Sequence, residues 1–435
     1  MAAPPRLRIQ TSATFLPTTI LGTSEQTNVL AITLNYDKSA TATDPPFLEV
    51  FARRQRITGM KAGQAQQQMK KEFPESSLSN PVSRGEVEFL DHLRQQASKR
   101  SETSSPPVET KTSVLLCGIG DDAAVIKQIT GRDTVVTTDL LVEDIDFLRA
   151  AISPQQLGHK ALAVSLSDIA AMGARPRWSL LSLGIPQDIW NSDFVDSFFE
   201  GFFALAKKYD VKLVGGDVSS TAEKITVDSI VIGECRGGQA ILRSGAKPGQ
   251  QLFVTGLLGA SAAGQRMIER GAHFGDGHSN DDLWDVVKEL MLRQLSPEPR
   301  VGWGLLLGQE RLASALIDIS DGLSSDLHHL CVESKVGAVI ESHLLPIDPL
   351  VTRICGRRAL DPLILALNGG EDFELLFTVT PENVSRLPRK VDGVPITRIG
   401  EIKATEAGVR LVEGSRISDL QPQGWEHFRR MKDEG

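Results

Sequence analysis

Cysteine is scarce in this 435-residue chain, and the four present, Cys117, Cys235, Cys331 and Cys355, stand far apart with no C-x-x-C pair. That spacing argues against a zinc site built on paired thiols and offers no disulfide framework. The cysteines read as small, mostly buried thiols suited to a reducing, cytoplasmic setting. No apolar run approaches the ~20 residues of a membrane helix. An excess of positive charge is also missing: 47 Lys and Arg against 55 Asp and Glu leave a net charge of −8. Nothing there recruits nucleic acid or an anionic membrane surface. The chain has no G-x-x-x-x-G-K-[ST] cradle, no protein-kinase signature set and no G-x-S-x-G elbow. Walker-type ATPases, protein kinases and that type of nucleophile are thereby excluded.

What is present is ordinary globular material, 41% hydrophobic and 23% charged, enough for a sizeable core. The length exceeds one ordinary domain, so two folded domains plus extra segments are expected. Residues 1–82 differ from the rest. Pro4, Pro5, Pro45, Pro46 and a Gln-rich patch (Gln64, Gln66, Gln67, Gln68) lack sustained periodicity and predict a poorly ordered extension. Arg6 and Arg8, with no acid in the first 24 residues, leave a targeting segment, a dispensable tail and a true start at Met60 all open. Helical spacing begins at Phe89, Leu90 and Leu93. From there strand–turn–helix units recur and predict an α/β (α+β) architecture, with domains at 83–238 and 239–435, the second opening on the turn-rich junction Arg243–Gly249. Pro154–Met172 and Phe194–Tyr209 read as helices. Leu180–Ile185, Leu252–Thr255, Ala315–Ile319 and Leu375–Val379 read as strands, and Gly271–Asp282 as a polar insertion.

Within this frame lies a set of aspartates in Gly- or Ser-rich segments: Gly118-Ile119-Gly120-Asp121, Thr137-Thr138-Asp139, Ser167-Asp168, Gly215-Gly216-Asp217 and Asp318-Ile319-Ser320-Asp321-Gly322. Each reads as a turn following a short apolar strand, where α/β proteins place ligands. One Gly-Asp turn means little, because Gly and Asp are the default turn residues. Several in register with strand ends predict a divalent-cation site, since Mg²⁺ takes oxygen ligands from a few carboxylates plus substrate phosphates. Lys160 and Arg243 are candidate phosphate contacts, each also readable as a solvated surface charge. Gly256-Leu257-Leu258-Gly259 ahead of a helix suits either phosphate binding or close packing. His159 and the pair His328-His329 lack metal-ligand spacing.

Segments Gly118–Ala124, Thr137–Glu143, Leu157–Ala174, Gly215–Asp217, Leu242–Gly249, Asp318–Leu323 and Gly369–Leu376 together resemble the thiamine-monophosphate kinase family of the aminoimidazole-ribonucleotide synthetase superfamily. The resemblance covers about residues 83–430. It implies a two-domain fold of that superfamily, a homodimer, and ATP-dependent phosphorylation of thiamine phosphate to thiamine diphosphate with several Mg²⁺ ions. It further implies metal positions at Asp121, Thr137, Thr138, Asp139, Asp168, Asp217, Asp318 and Asp321. Nucleotide contacts are implied at Gly216, Asp217, Arg243 and Ser320, and substrate contacts at Asp146, Glu371 and Trp425. Trp425 suits stacking on a flat, cationic heterocycle.

One position departs from the family pattern. Where a histidine is expected, the stretch Asp139-Leu140-Leu141-Val142-Glu143-Asp144-Ile145-Asp146-Phe147 has Asp146. A carboxylate there repels a substrate phosphate unless it too takes metal. Two other readings stay open at this point: another ATP-dependent enzyme of the superfamily, and a non-catalytic binding relative.

Overall fold

The computed structural model describes residues 114–117, 125–127, 130–274 and 283–425. The N-terminal extension, Asp121 and most of the polar insertion fall outside these residues. The first described elements, β1 (Val114–Cys117) and β2 (Val125–Lys127), pair antiparallel.

A four-stranded sheet follows, built from β3 (Arg132–Val142), β4 (Arg175–Pro186), β5 (Lys212–Thr221) and β6 (Thr226–Arg236) in the order β3-β6-β4-β5. Only β4 and β5 run parallel. Two helices cover it: α1 (Pro154–Ala171) between β3 and β4, and, after the short α2 (Gln187–Trp190), α3 (Phe194–Lys208). Helix α1 starts cleanly, because Ser153 and Gln156 form a reciprocal capping box and Pro154 occupies the first turn. Its apolar residues do not form a stripe. Leu157, Leu162, Leu166 and Ile169 are fully buried on different sides of the helix, as expected for a helix enclosed on all sides. It crosses α3 so closely that a Cβ on Gly158 would sit 1.9 Å from the Phe198 carbonyl oxygen, and one on Gly201 1.9 Å from that of Gln155. Phe198, Phe199, Phe202 and Phe203 then pack edge to face beneath it.

The second sheet runs β14-β13-β9-β12-β7-β10-β8. In chain order its elements are β7 (Gln251–Thr255), α4 (Ala260–Glu269), α5 (Trp284–Leu295), α6 (Val301–Gln309), β8 (Ala313–Asp318), α7 (Leu323–Ser334) and β9 (Gly337–Glu341). Then come α8 (Pro349–Arg358), α9 (Pro362–Asn368), β10 (Leu375–Val379), β11 (Lys390–Val391), β12 (Val394–Lys403), β13 (Val409–Glu413) and β14 (Arg416–Asp419). Short β11 pairs with β12, and β13 and β9 form this sheet's one parallel pair. Phe253, Trp303 and Phe377 stack in a core continuous with α1. A second cluster around Leu252, Ile317, Leu327 and Ile340 fills the opposite face.

The structure corrects the reading of the acidic segments as strand-end turns. Asp139 lies inside β3, Asp168 inside the last turn of α1, and Asp217 inside β5, which runs straight through Gly215 and Gly216. The reason is tertiary: β3 pairs with β6 along its whole length, and β5 pairs with β4 through Gly215 and Gly216, past a one-residue bulge at Val214. Among the described acidic segments, only the one from Asp318 to Asp321 leaves a strand end for a loop, between β8 and α7.

Candidate active site

Helix α1 positions the centre. Being buried on nearly every side, it must pair each polar side chain it carries, and those side chains reach separate elements. Ser165 Oγ donates to Asp139 Oδ2 on β3 at 2.8 Å. Ser167 Oγ donates to Asp318 Oδ2 at the end of β8 at 2.6 Å. Asp168 accepts from the Thr137 hydroxyl on β3. Lys160 Nζ donates to Glu371 Oε2 at 2.9 Å. Three carboxylates, from a strand, a helix and another strand end, are thus gathered around one helix terminus.

Their electrostatics are unfavourable as they stand. Burial, aided by the charge of Asp168, lifts Asp139 to about 7. Burial, aided by Asp168 and Asp139, lifts Asp318 to about 7. Asp168 is also raised by burial, against the Thr137 hydrogen bond and the nearby Arg243. Asp168 moreover occupies the C-terminal turn of its helix, which carries no basic residue and where the helix dipole disfavours an anion. Buried like charges held together by hydroxyl donors fit a site completed by a divalent cation with oxygen ligands. Next to this centre, Asp326 Oδ2 accepts the N–H groups of Asp321 and Gly322 at 3.2 and 3.0 Å. Burial, with the charges of Asp318 and Asp321, pushes Asp326 up to about 8. Asp321, Asp326 and His329 offer ligand atoms within 4.8 Å of one another.

A cleft of about 560 Å³ opens from this centre. Its walls include Asp139, Asp146, Ser320, Asp321, Glu371 and Trp425, so the structure brings six of the sequence-predicted residues together. Backbone pairing explains the assembly. The antiparallel ladder of β8 and β10 continues past the strands through Glu371 N to Ser320 O (2.7 Å) and Phe373 N to Ile319 O (2.9 Å). That zips the Gly-Gly-Glu-Asp loop onto the Asp318–Asp321 loop. Gly424 and Trp425 are laid on the start of α7 and the loop before it: Gly424 N donates to Ser325 Oγ at 2.9 Å and Trp425 N to Asp321 O at 2.9 Å. Trp425 remains half exposed at the mouth.

Other predicted residues lie apart from the cleft wall. Gly216 and Asp217 are on β5, the far edge of the small sheet, with Asp217 in register with Ser182 and, one strand further, Asp228. Thr138 donates to Asp228 Oδ1 at 2.6 Å. Arg243 is exposed and near enough to Asp168 and Asp318 to lower both. Asp121 lies outside the described residues. Asp146 turns its carboxylate back into its own loop, where Oδ2 accepts the Val142 N–H at 2.8 Å.

Several sequence readings need correction. Lys160 is neither a phosphate contact nor a solvated charge: it is 0% exposed and paired with Glu371. The helix N-terminus after Gly256–Gly259 is occupied by the chain's own Asp372, which accepts from Gly259 N at 2.6 Å and Ser261 N at 3.2 Å. Sequence reasoning also missed Asp228, Ser165, Ser167, Gln294 and Asp326. Asp228 sits mid-strand with no glycine beside it. The α1 serines pass for neutral helix residues until the all-round burial of α1 is known. Asp326, five residues after Asp321, was within reach of a motif-based reading.

Comparison with known proteins assigns the two domains and the family. Residues 120–235 match the family model of the AIR synthase related protein N-terminal domain, and residues 247–412 that of its C-terminal domain. The chain is 39% identical over 316 residues to the thiamine-monophosphate kinase of Bacillus subtilis (strain 168), covering 72% of this chain and 93% of that one. Among solved structures it is similar to the thiamine-monophosphate kinase of Stenotrophomonas maltophilia K279a, with a TM-score of 0.64, 35% identity, and coverage of 73% of this chain and 95% of that one. It is also similar to AaThiL complexed with AMPPCP and TMP, with a TM-score of 0.60, 30% identity, and coverage of 82% and 100%.

Proposed function

Because this chain belongs to the thiamine-monophosphate kinase family, we propose that its cleft transfers the terminal phosphoryl group of ATP to the phosphate of thiamine phosphate, giving ADP and thiamine diphosphate. The observation that carries the reading is the convergence of Asp139, Asp168 and Asp318 at one end of a cleft whose walls hold Glu371 and Trp425.

The carboxylates of Asp121, Asp139, Asp168, Asp217, Asp318 and Asp321, with Thr137 and Thr138, would hold several Mg²⁺ ions. Bound there, such ions supply charge neutralisation and a clamp on the phosphate oxygens. The chain's own residues do the rest. Thr137, Ser165 and Ser167 orient the carboxylates through the hydrogen bonds described above. Gly216, Asp217, Arg243 and Ser320 receive the nucleotide, with Arg243 adding positive charge beside the carboxylate centre. Glu371 and Trp425 receive the acceptor's heterocycles, and Asp146 shapes the loop beside them.

An oxygen of the thiamine phosphate attacks the terminal phosphorus in line, the new P–O bond forms, and ADP leaves. That oxygen is already ionised at neutral pH, so no strong base is needed. No His or Lys is assigned such a role.

The active unit in this reading is a homodimer of two-domain subunits, divided at about 238/239. Support comes from β3, which among the described residues is an edge strand and leaves Val136 and Leu140 exposed at 62% and 60%. An apolar edge strand of this kind invites pairing with a second copy. A reducing cytoplasmic setting belongs to the same reading, and Cys235, Cys331 and Cys355 are buried free thiols. Among the described residues no helix is long and apolar enough to cross a membrane.

The test supplies ATP, Mg²⁺ and thiamine phosphate and measures ADP and thiamine diphosphate. Equimolar appearance of both, abolished by exhaustive chelation, is expected. Binding without turnover, or turnover that survives chelation, would refute the proposal.

A further inference from the structure

We propose that Lys160 is a positioning residue for Glu371, and through it sets how the cleft orients the heterocyclic end of the acceptor. The inference rests on the reading of Glu371 as a substrate contact. Lys160 projects from α1 with its side chain fully buried, and its ammonium meets Glu371 Oε2 at 2.9 Å and the Asp146 carbonyl oxygen at 3.5 Å. A buried ammonium persists only when paired, so the helix carries a fixed charge aimed at one carboxylate oxygen.

Glu371 is held from other directions as well. Gln294 on α5 donates from Nε2 to the same Oε2, and Gln294 Oε1 in turn accepts from the Ser261 hydroxyl on α4. The Glu371 N–H donates to Ser320 O at 2.7 Å. The residue has a φ of +62°, a left-handed conformation that a glutamate adopts only when its surroundings require it. A Cβ on the preceding Gly370 would fall 2.7 Å from the Ser320 carbonyl oxygen, so the loop can approach this closely only with glycine there.

Both side-chain donors use Oε2. Among the described residues Oε1 accepts no hydrogen bond, and Glu371 lines the cleft. The geometry therefore presents one free carboxylate oxygen at a set position. Because Lys160 already balances the charge, that oxygen serves as an oriented acceptor for a ligand N–H rather than as a trap for any cation. An amino-substituted heterocycle supplies such a donor. The same helix carries Ser165, Ser167 and Asp168 five to eight residues further on. Over eight residues a helix advances about 12 Å, so α1 works as a rigid ruler between the phosphate end and the heterocycle end of the cleft.

The experiment compares wild type, Lys160→Met, Lys160→Arg, Glu371→Gln and the Lys160→Met/Glu371→Gln double variant, reading KM for thiamine phosphate, KM for ATP and kcat. Loss of a charge-assisted hydrogen bond that orients the contact should raise the thiamine-phosphate KM of Lys160→Met about tenfold or more. KM for ATP should stay within about twofold, since only one subsite is disturbed. Lys160→Arg should recover most of the loss, and the double variant should match Glu371→Gln rather than multiply the two effects. If Lys160→Met does not fold, Lys160→Gln is judged by the same criteria. An unchanged thiamine-phosphate KM, a parallel rise in both KM values, or multiplicative effects in the double variant would overturn the role of Lys160. An unchanged KM in Glu371→Gln would instead overturn the reading of Glu371 beneath it.

Discussion

Replacing Asp318 by Asn should make the metal-free protein more stable while destroying its activity. Asp318 is buried, with Asp168 and Asp139 beside it, and these three influences move its carboxyl from 3.8 to about 7 despite the Ser167 hydrogen bond and Arg243. At about 1.4 kcal/mol per pH unit, that difference corresponds to about 4 kcal/mol. The folded protein keeps a proton that the unfolded chain releases between about pH 4 and pH 7, so stability falls across this window as pH rises. Asparagine is uncharged, and its amide oxygen can still accept from Ser167. The assay is urea unfolding of chelator-treated wild type and Asp318→Asn at pH 4 and pH 8. The variant should gain roughly 2–4 kcal/mol at pH 8 and almost nothing at pH 4. Saturating Mg²⁺ should stabilise the wild type far more than the variant, because in the proposed function it binds only the folded carboxylate set. Kinase turnover should fall at least about a hundredfold. Equal stability of the two chains at pH 8 without metal would refute the electrostatic account.

Further outcomes are expected elsewhere in the molecule. Val136→Asp places a charge at an exposed position of β3 and should turn the proposed homodimer into a monomer in sedimentation; a variant that still sediments as a dimer would remove β3 from the interface. Asp146→Asn can keep the hydrogen bond from Val142 while removing a negative charge from the cleft wall. KM for thiamine phosphate should drop by up to about fivefold, and a rise would show that the carboxylate helps binding. Gly158→Ala drives a Cβ into the Phe198 carbonyl oxygen, so chemical denaturation should report a loss of at least about 2 kcal/mol. Activity should fall with it, because α1 carries Ser165, Ser167, Asp168 and Lys160.

Much of the candidate site was legible in the sequence. The acidic motifs singled out Asp139, Asp168, Asp318 and Asp321, the family resemblance added Glu371 and Trp425, and the structure gathers them around one cleft and the carboxylate centre at its end. Motif order could not say which element each motif occupies. A Gly-Gly-Asp reads as a turn until a neighbouring strand pairs through it, as β4 does with β5. Nor could it identify Asp228 or Gln294, whose sequence surroundings resemble any amphipathic strand or helix.

The sequence by itself determined the chemistry available: an acidic set suited to divalent metal, no Walker-type phosphate cradle, and two α/β halves. Those follow from residue type and local pattern, which act over a few positions. Tertiary structure alone decided the partners. It enclosed α1 on all sides, and that burial converts ordinary serines and a lysine into obligatory donors to carboxylates from β3, β8 and the Gly-Gly-Glu-Asp loop. It also turned the Asp146 carboxylate onto Val142 and filled the α4 N-terminus with Asp372. Each of these outcomes depends on which groups lose contact with water together, and that depends on contacts between residues far apart in the chain.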